Sequence, residues 1–94
     1  MNVQATYENG ENPQAPRPSF DEGDVLHIFD YVDVWMDGHE QSRYVENAEI
    51  LSVDLDLVVR EQMWHLHYRV ALFEDGELVT TELLTEDQIQ EIQQ

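Results

Sequence analysis

The stretch "MWHLHYRVALFEDGELVTTELLTEDQI", Met63 to Ile89, decides the fold. Trp64, Leu66, Tyr68, Val70 and Leu72 recur at every second position, with His65, His67, Arg69, Ala71 and Phe73 between them. Period two is the mark of a β-strand with two unlike faces. Asp75-Gly76 then interrupts, a dipeptide suited to a two-residue hairpin turn in which both residues take positive φ. Such a loop sets the register, so Leu72 is expected opposite Val79 and Val70 opposite Thr81. The returning strand runs to Leu83 or Leu84. Thr85 and Gln88 have the spacing of a capping box, and Glu86 and Asp87 fall in the first turn, where the helix dipole favours acids. A short helix is therefore expected, anchored by Leu84, Ile89 and Ile92.

Reading toward the N-terminus, "SRYVENAEILSVDLDLVV" is extended. Tyr44 and Val45 form a short piece with a bend expected near Asn47. Leu51, Val53, Leu55, Leu57 and Val59 then alternate with Ser52, Asp54 and Asp56, the pattern of a strand buried on one side. Arg60-Glu61-Gln62 reads as the turn into the strand that begins at Met63. Further back, "FDEGDVLHIFDYVDVWM" opens with a turn around Glu22-Gly23-Asp24. Leu26, Ile28, Val32, Val34 and Met36 share one face, with Asp30 interrupting, and His27, Phe29, Tyr31, Asp33 and Trp35 share the other. A strand apolar on both faces is expected to be central or strongly coiled. Asp37-Gly38 closes the first hairpin.

Residues 1–19 differ in character. Pro13, Pro16 and Pro18 remove backbone donors and fix φ, so this stretch reads as a flexible Pro-rich arm, with "PQAP" carrying a PxxP spacing that any such arm can hold. Residues 20–94 are expected to form one small antiparallel β domain with a C-terminal helix, since 94 residues fit a single core. The expected class is mainly β with a minor α part: a four- to five-stranded antiparallel sheet or an SH3-like small barrel. "YRVALFEDGELVTTELLTEDQI", with the earlier "FDEGDVLHIF", resembles the rhythm of small SH3-like barrels, including Tudor modules. That resemblance implies a binding module that takes a peptide or a basic tail through aromatic residues, but no cage motif matches position by position; Phe29, Tyr31, Trp35, Tyr44 and Trp64 are cage candidates by their aromatic chemistry alone.

Charge narrows the function further. Twenty-one Asp and Glu stand against four Arg and no Lys, a net charge of −17. Phosphate contact needs cations on the protein, so direct nucleic-acid binding is not expected, and neither is attachment to an anionic membrane surface. With no apolar run near the ~20 residues of a membrane helix and no leader-like N-terminus, the chain is expected to be soluble and cytoplasmic. Cysteine is absent, which removes disulfides, thiol nucleophiles and thiolate metal sites. Acidity for solubility or for high internal salt explains the charge without a partner, as in an acidic accessory subunit. Against the salt explanation, the chain keeps four Ile, three Phe, three Met and many Gln.

His65 and His67 project from one strand face about 6.7 Å apart, a separation two zinc ligands can share. No accompanying ligand spacing supports this, so no metal and no cofactor is expected. Close carboxylate pairs arise by chance among so many acids, and Ser19, Ser42 and Ser52 lie in no nucleophile motif, so an enzyme is not expected. The acids themselves remain. Carboxylates held along a strand form a negative row with spacing of the order of phosphates on a nucleic-acid strand, and a rigid row is ordered before it binds. In composition and size the chain resembles the DNA mimics of phages and mobile elements that inhibit uracil-DNA glycosylase, restriction enzymes or CRISPR effectors. The expected partner is a basic nucleic-acid-binding protein. The expected contacts are Asp33, Glu49, Asp54, Asp56, Glu74 and Glu82, with Trp35 or Phe73 as an apolar anchor. An open sheet edge also leaves room for a homodimer.

Overall fold

A computed structural model of the chain describes residues 14–93. Its elements in chain order are β1 (Val25–Met36), β2 (His39–Val58), a 3-10 turn (Val59–Glu61), β3 (Met63–Glu74), β4 (Glu77–Thr85) and α1 (Glu86–Ile92). The strands form one antiparallel sheet in the order β1-β2-β3-β4. The fold is therefore mainly β with one short helix, and the sheet is not closed into a barrel. The barrel expected as an alternative does not form. Of the expected arm, residues 1–13 lie outside the described residues. Residues 14–18 carry no regular secondary structure, and the Ser19 N–H donates to the Tyr68 hydroxyl at 3.0 Å.

Both Asp-Gly pairs make the turns their chemistry suits. Asp37 and Gly38 sit at φ 53° and 83°, and Asp75 and Gly76 at 56° and 78°, which only Gly adopts at no steric cost in the second position. The 3-10 turn closes the middle hairpin, ending on Gln62 in the left-handed region at φ 52°. The Glu22-Gly23 corner docks on the sheet: Gly23 N–H donates to the Ile50 carbonyl and Ile50 N–H to the Asp24 carbonyl, each at 2.8 Å.

One face of the sheet carries the core. Ile28, Val34, Val45, Ile50, Tyr68, Val70 and Leu72 are buried there, and α1 covers them with Ile89. Leu84 and Ile92 pack at the margin, as their spacing predicts. Burial of Ile89 contributes roughly 1.5–3 kcal/mol and fastens a helix of 7 residues that would not persist alone in water. The Thr85–Gln88 capping box forms in both directions. Phe20 completes the cover, meeting Tyr68 edge-on at 5.5 Å.

Several local expectations give way, each at a register irregularity. The β3–β4 ladder pairs Leu72 with Thr80 and Val70 with Glu82, one residue away from the expected register, because a shift at Leu72/Phe73 places an extra β4 residue against one on β3. The bend expected near Asn47 is absent, and β2 runs unbroken for 20 residues. The pairing of β1 and β2 adjusts instead, between His27 and Asp30, with Phe29 at φ 51°. That bulge lets Leu26, Ile28, Val32 and Val34 all turn inward although Asp30 between them stays exposed. β1 is an edge strand and not a central one, and the aromatic side chains Phe29, Tyr31 and Trp35 lie in solvent. A further shift between Ile50 and Ser52 makes Ile50 the fully buried residue of β2. Leu51, Val53, Leu55 and Leu57, expected to be the clearest buried row, are only half-buried.

The reason is an overhang. β1 pairs with β2 no further than Glu49, and β4 pairs with β3 no further than His67. Beyond those points the β2–β3 hairpin has no lateral neighbour within the sheet. Its projection accounts for principal extents of 51 × 27 × 18 Å.

Candidate acidic interface

The side of the sheet away from the core is open, and alternation sets which residues face it. Asp33 and Trp35 lie opposite in phase to buried Val32 and Val34. Glu49 lies out of phase with Ile50, and Phe73 with Leu72. Asp54 and Asp56 alternate with Val53, Leu55 and Leu57 on the projecting hairpin. Glu49, Asp54, Asp56 and Phe73 therefore share one face of β2 and β3, while Asp33 and Trp35 point away from the core on β1, beyond its bulge. Trp35 is 65% exposed and free to act as an anchor, whereas Phe73 is half-buried between Asn47 and Leu78.

This face is not an unbroken anionic row. Asp54 stands opposite His67, and Asp56 opposite His65. His65 Nε2 lies 3.1 Å from Glu61 Oε1, and the two imidazole rings meet edge-on at 6.3 Å. The hairpin thus presents alternating carboxylates and imidazoles. Between Asp54 and Glu49 the chain runs about 16 Å at strand rise, and Ser52 in that gap pairs with exposed Arg69. Among the described residues no group of three or more His, Asp or Glu side chains is arranged to hold a metal ion.

The remaining expected contacts lie elsewhere. Glu74 faces Glu77 across the β3–β4 turn, beside Glu46, whose Oε1 accepts the Asp75 N–H at 2.6 Å. Glu82 is half-buried and pairs with core residue Val70. Its Oε1 accepts the Trp35 N–H at 3.0 Å, joining the two edge strands across the curl of the sheet. The cage candidates do not converge. Tyr31 meets Tyr44 edge-on at 5.4 Å and Phe29 stacks on His27, but Trp64 sits on the projecting hairpin opposite Leu57.

Two features were not read from the sequence. The first is a chain of groups under the helix: Ser19 N–H donates to the Tyr68 hydroxyl, which donates to Glu86 Oε1 at 2.6 Å. Burial pushes the Glu86 carboxyl pKa up, but hydrogen bonds from Ser19, Tyr68 and Gln90 outweigh it and hold the group below its ordinary value. Burial, then the contact with Glu86, raises the Tyr68 phenol. The second is an open cleft of about 430 Å³ where β1 approaches β4 and α1. Val32, Leu84 and Ile92 line it with Asp33, Glu40 and Glu91. Asp30, the polar interruption in an apolar period, marks in the sequence the place where the β1 bulge falls. Comparison of the chain with protein-family models, with curated proteins and with solved structures finds no match.

Proposed function

We propose that this chain is a non-catalytic acidic binder, a DNA mimic that occupies the basic groove of a nucleic-acid-handling protein and blocks it. The observation that carries this reading is charge held on an elongated frame. Without Glu8 and Glu11, which lie outside the described residues, 19 acids against four Arg leave 15 net negative charges along 51 Å. That is one per about 3.4 Å, the phosphate spacing of a single nucleic-acid strand and half the linear density of a duplex. The likeness is one of density, with Asp54, Asp56 and Glu49 fixed on the open face and Trp35 exposed on β1 opposite Glu40. Carboxylates set on strands are ordered before they meet a partner, so binding would be fast and salt-sensitive. The effectors that phages and mobile elements must disarm, restriction and CRISPR nucleases among them, are cytoplasmic proteins with grooves of this kind.

The test is displacement of labelled DNA from such nucleases, followed by fluorescence anisotropy at two salt concentrations. The chain is expected to displace DNA at low salt and to lose affinity steeply as salt rises. Asp54→Lys with Asp56→Lys should weaken it at least about tenfold and flatten the salt slope. Unchanged affinity and slope in the double variant would remove the projecting hairpin from the interface, and failure to displace DNA from any basic groove would end the reading.

A further inference from the structure

The edge of β1 points to a second binding surface, away from Asp54 and Asp56 of the projecting hairpin, although it shares Asp33, Trp35 and Glu82 with the contacts expected for the groove-blocking reading. In an antiparallel pair, alternate residues turn their N–H and C=O groups away from the partner strand. The Trp35 N–H is turned away from β2, since Glu82 Oε1 takes it at 3.0 Å. The Tyr31 N–H is turned the same way and is taken by Asp30 Oδ1 at 2.7 Å. Asp33 lies between them in the same phase, pairs with Ser42 and lines the cleft. The outer edge of β1 is therefore a strand edge where the Tyr31 and Trp35 N–H groups are covered by the chain's own carboxylates. That is a guard against edge pairing, and one a competing acceptor can displace.

The cleft beside this edge has an apolar floor of Val32, Leu84 and Ile92 and an acidic rim of Asp33, Glu40 and Glu91. We propose that it takes an extended basic peptide as an added strand along β1. The peptide's carbonyl oxygens replace the carboxylates of Asp30 and Glu82 as acceptors for Tyr31 and Trp35. Its apolar side chains, at alternate positions, rest on the floor. Its Lys or Arg side chains pair with the rim and with the Glu82 carboxylate released from Trp35. Backbone pairing supplies affinity and the alternating side chains supply selection, as in other strand additions. A second copy of this chain is a poor occupant, because it brings −17 against −17.

The probe is the capped octapeptide (Lys-Val)₄ added to the full chain, with amide shifts and amide exchange followed by NMR. Two isomers, N-methylated at every Lys or at every Val, and the acidic peptide (Glu-Val)₄ serve as controls. Saturable shifts and slowed exchange at Tyr31, Asp33 and Trp35 are expected. One N-methylated isomer should bind at least about tenfold more weakly than the other, since only one set of peptide N–H groups faces β1. The acidic peptide should not bind. Glu82→Gln keeps an acceptor for Trp35 but loses the cation pair, and should weaken the peptide severalfold without changing the thermal midpoint, whereas Asp54→Asn with Asp56→Asn should leave its affinity unchanged. Equal affinity of the two methylated isomers, shifts centred on Asp54, Asp56, His65 and His67, or no saturation at millimolar peptide would each overturn the proposal.

Discussion

Tyr68 is where the N-terminal segment, the sheet and the helix meet. Its ring is fully buried, Phe20 lies against it, and its hydroxyl links Ser19 to Glu86. Tyr68→Phe keeps the packing but strips the link, and should cost roughly 1–3 kcal/mol in urea denaturation. The same link has a pH signature. Glu86 titrates below its ordinary value of 4.5, so its contribution is present above that pH and lost as pH falls through the folded value. Glu86→Gln should flatten the acid side of a thermal-midpoint profile between neutral pH and about pH 3. A second single-residue effect concerns Phe29, which holds φ 51° with 54% of its surface exposed. A left-handed conformation costs an L-residue roughly 1–2 kcal/mol, and a half-exposed ring returns little burial in exchange. Phe29→Gly should therefore raise the midpoint in chemical denaturation, and Phe29→Val should lower it.

Elements differ in how firmly they are held. The β2–β3 hairpin beyond Asp54 and His67 has strands on neither side, and a two-stranded ribbon alone is marginal in water. Amides of Leu55, Leu57 and Leu66 should exchange faster than those of Val70 and Leu72 in native-state hydrogen exchange, through local opening that leaves the core folded. Equal protection across the hairpin would show that the overhang opens only with the whole sheet. This is also the scale at which the sequence was most and least legible. The strands, both Asp-Gly turns, the capping box and the inner row Tyr68, Val70 and Leu72 follow from local pattern, because period two and turn chemistry act within a few residues. The bulges at Phe29, Leu51 and Leu72/Phe73 do not, because each is settled by the partner strand. Three register shifts were enough to bury Ile50 instead of Leu51 and to turn Glu82 toward Trp35. The open-face positions of Asp54 and Asp56 were readable from alternation. The histidines across from them were not, since that pairing depends on where the neighbouring strand stops.

At the scale of the whole molecule, charge opposes the fold it decorates. Twenty-one acids against four Arg leave a net −17, which repels itself on a small elongated body. Raising salt from about 0.01 M to 1 M shortens the screening length from roughly 30 Å to 3 Å, so the thermal midpoint should climb with salt and level off once screening falls below typical charge spacings. A flat midpoint over that range would mean that the acids are already matched by fixed positive groups. The overhanging hairpin gives the same salt a contrary effect. Its inner side keeps Val53, Leu55, Leu57, Trp64 and Leu66 only partly covered, and like-charge repulsion is what keeps two such greasy flanks from zipping side by side. In brine the fold grows sturdier as its colloidal shelf life shortens, and light scattering would register that turbidity before any loss of structure.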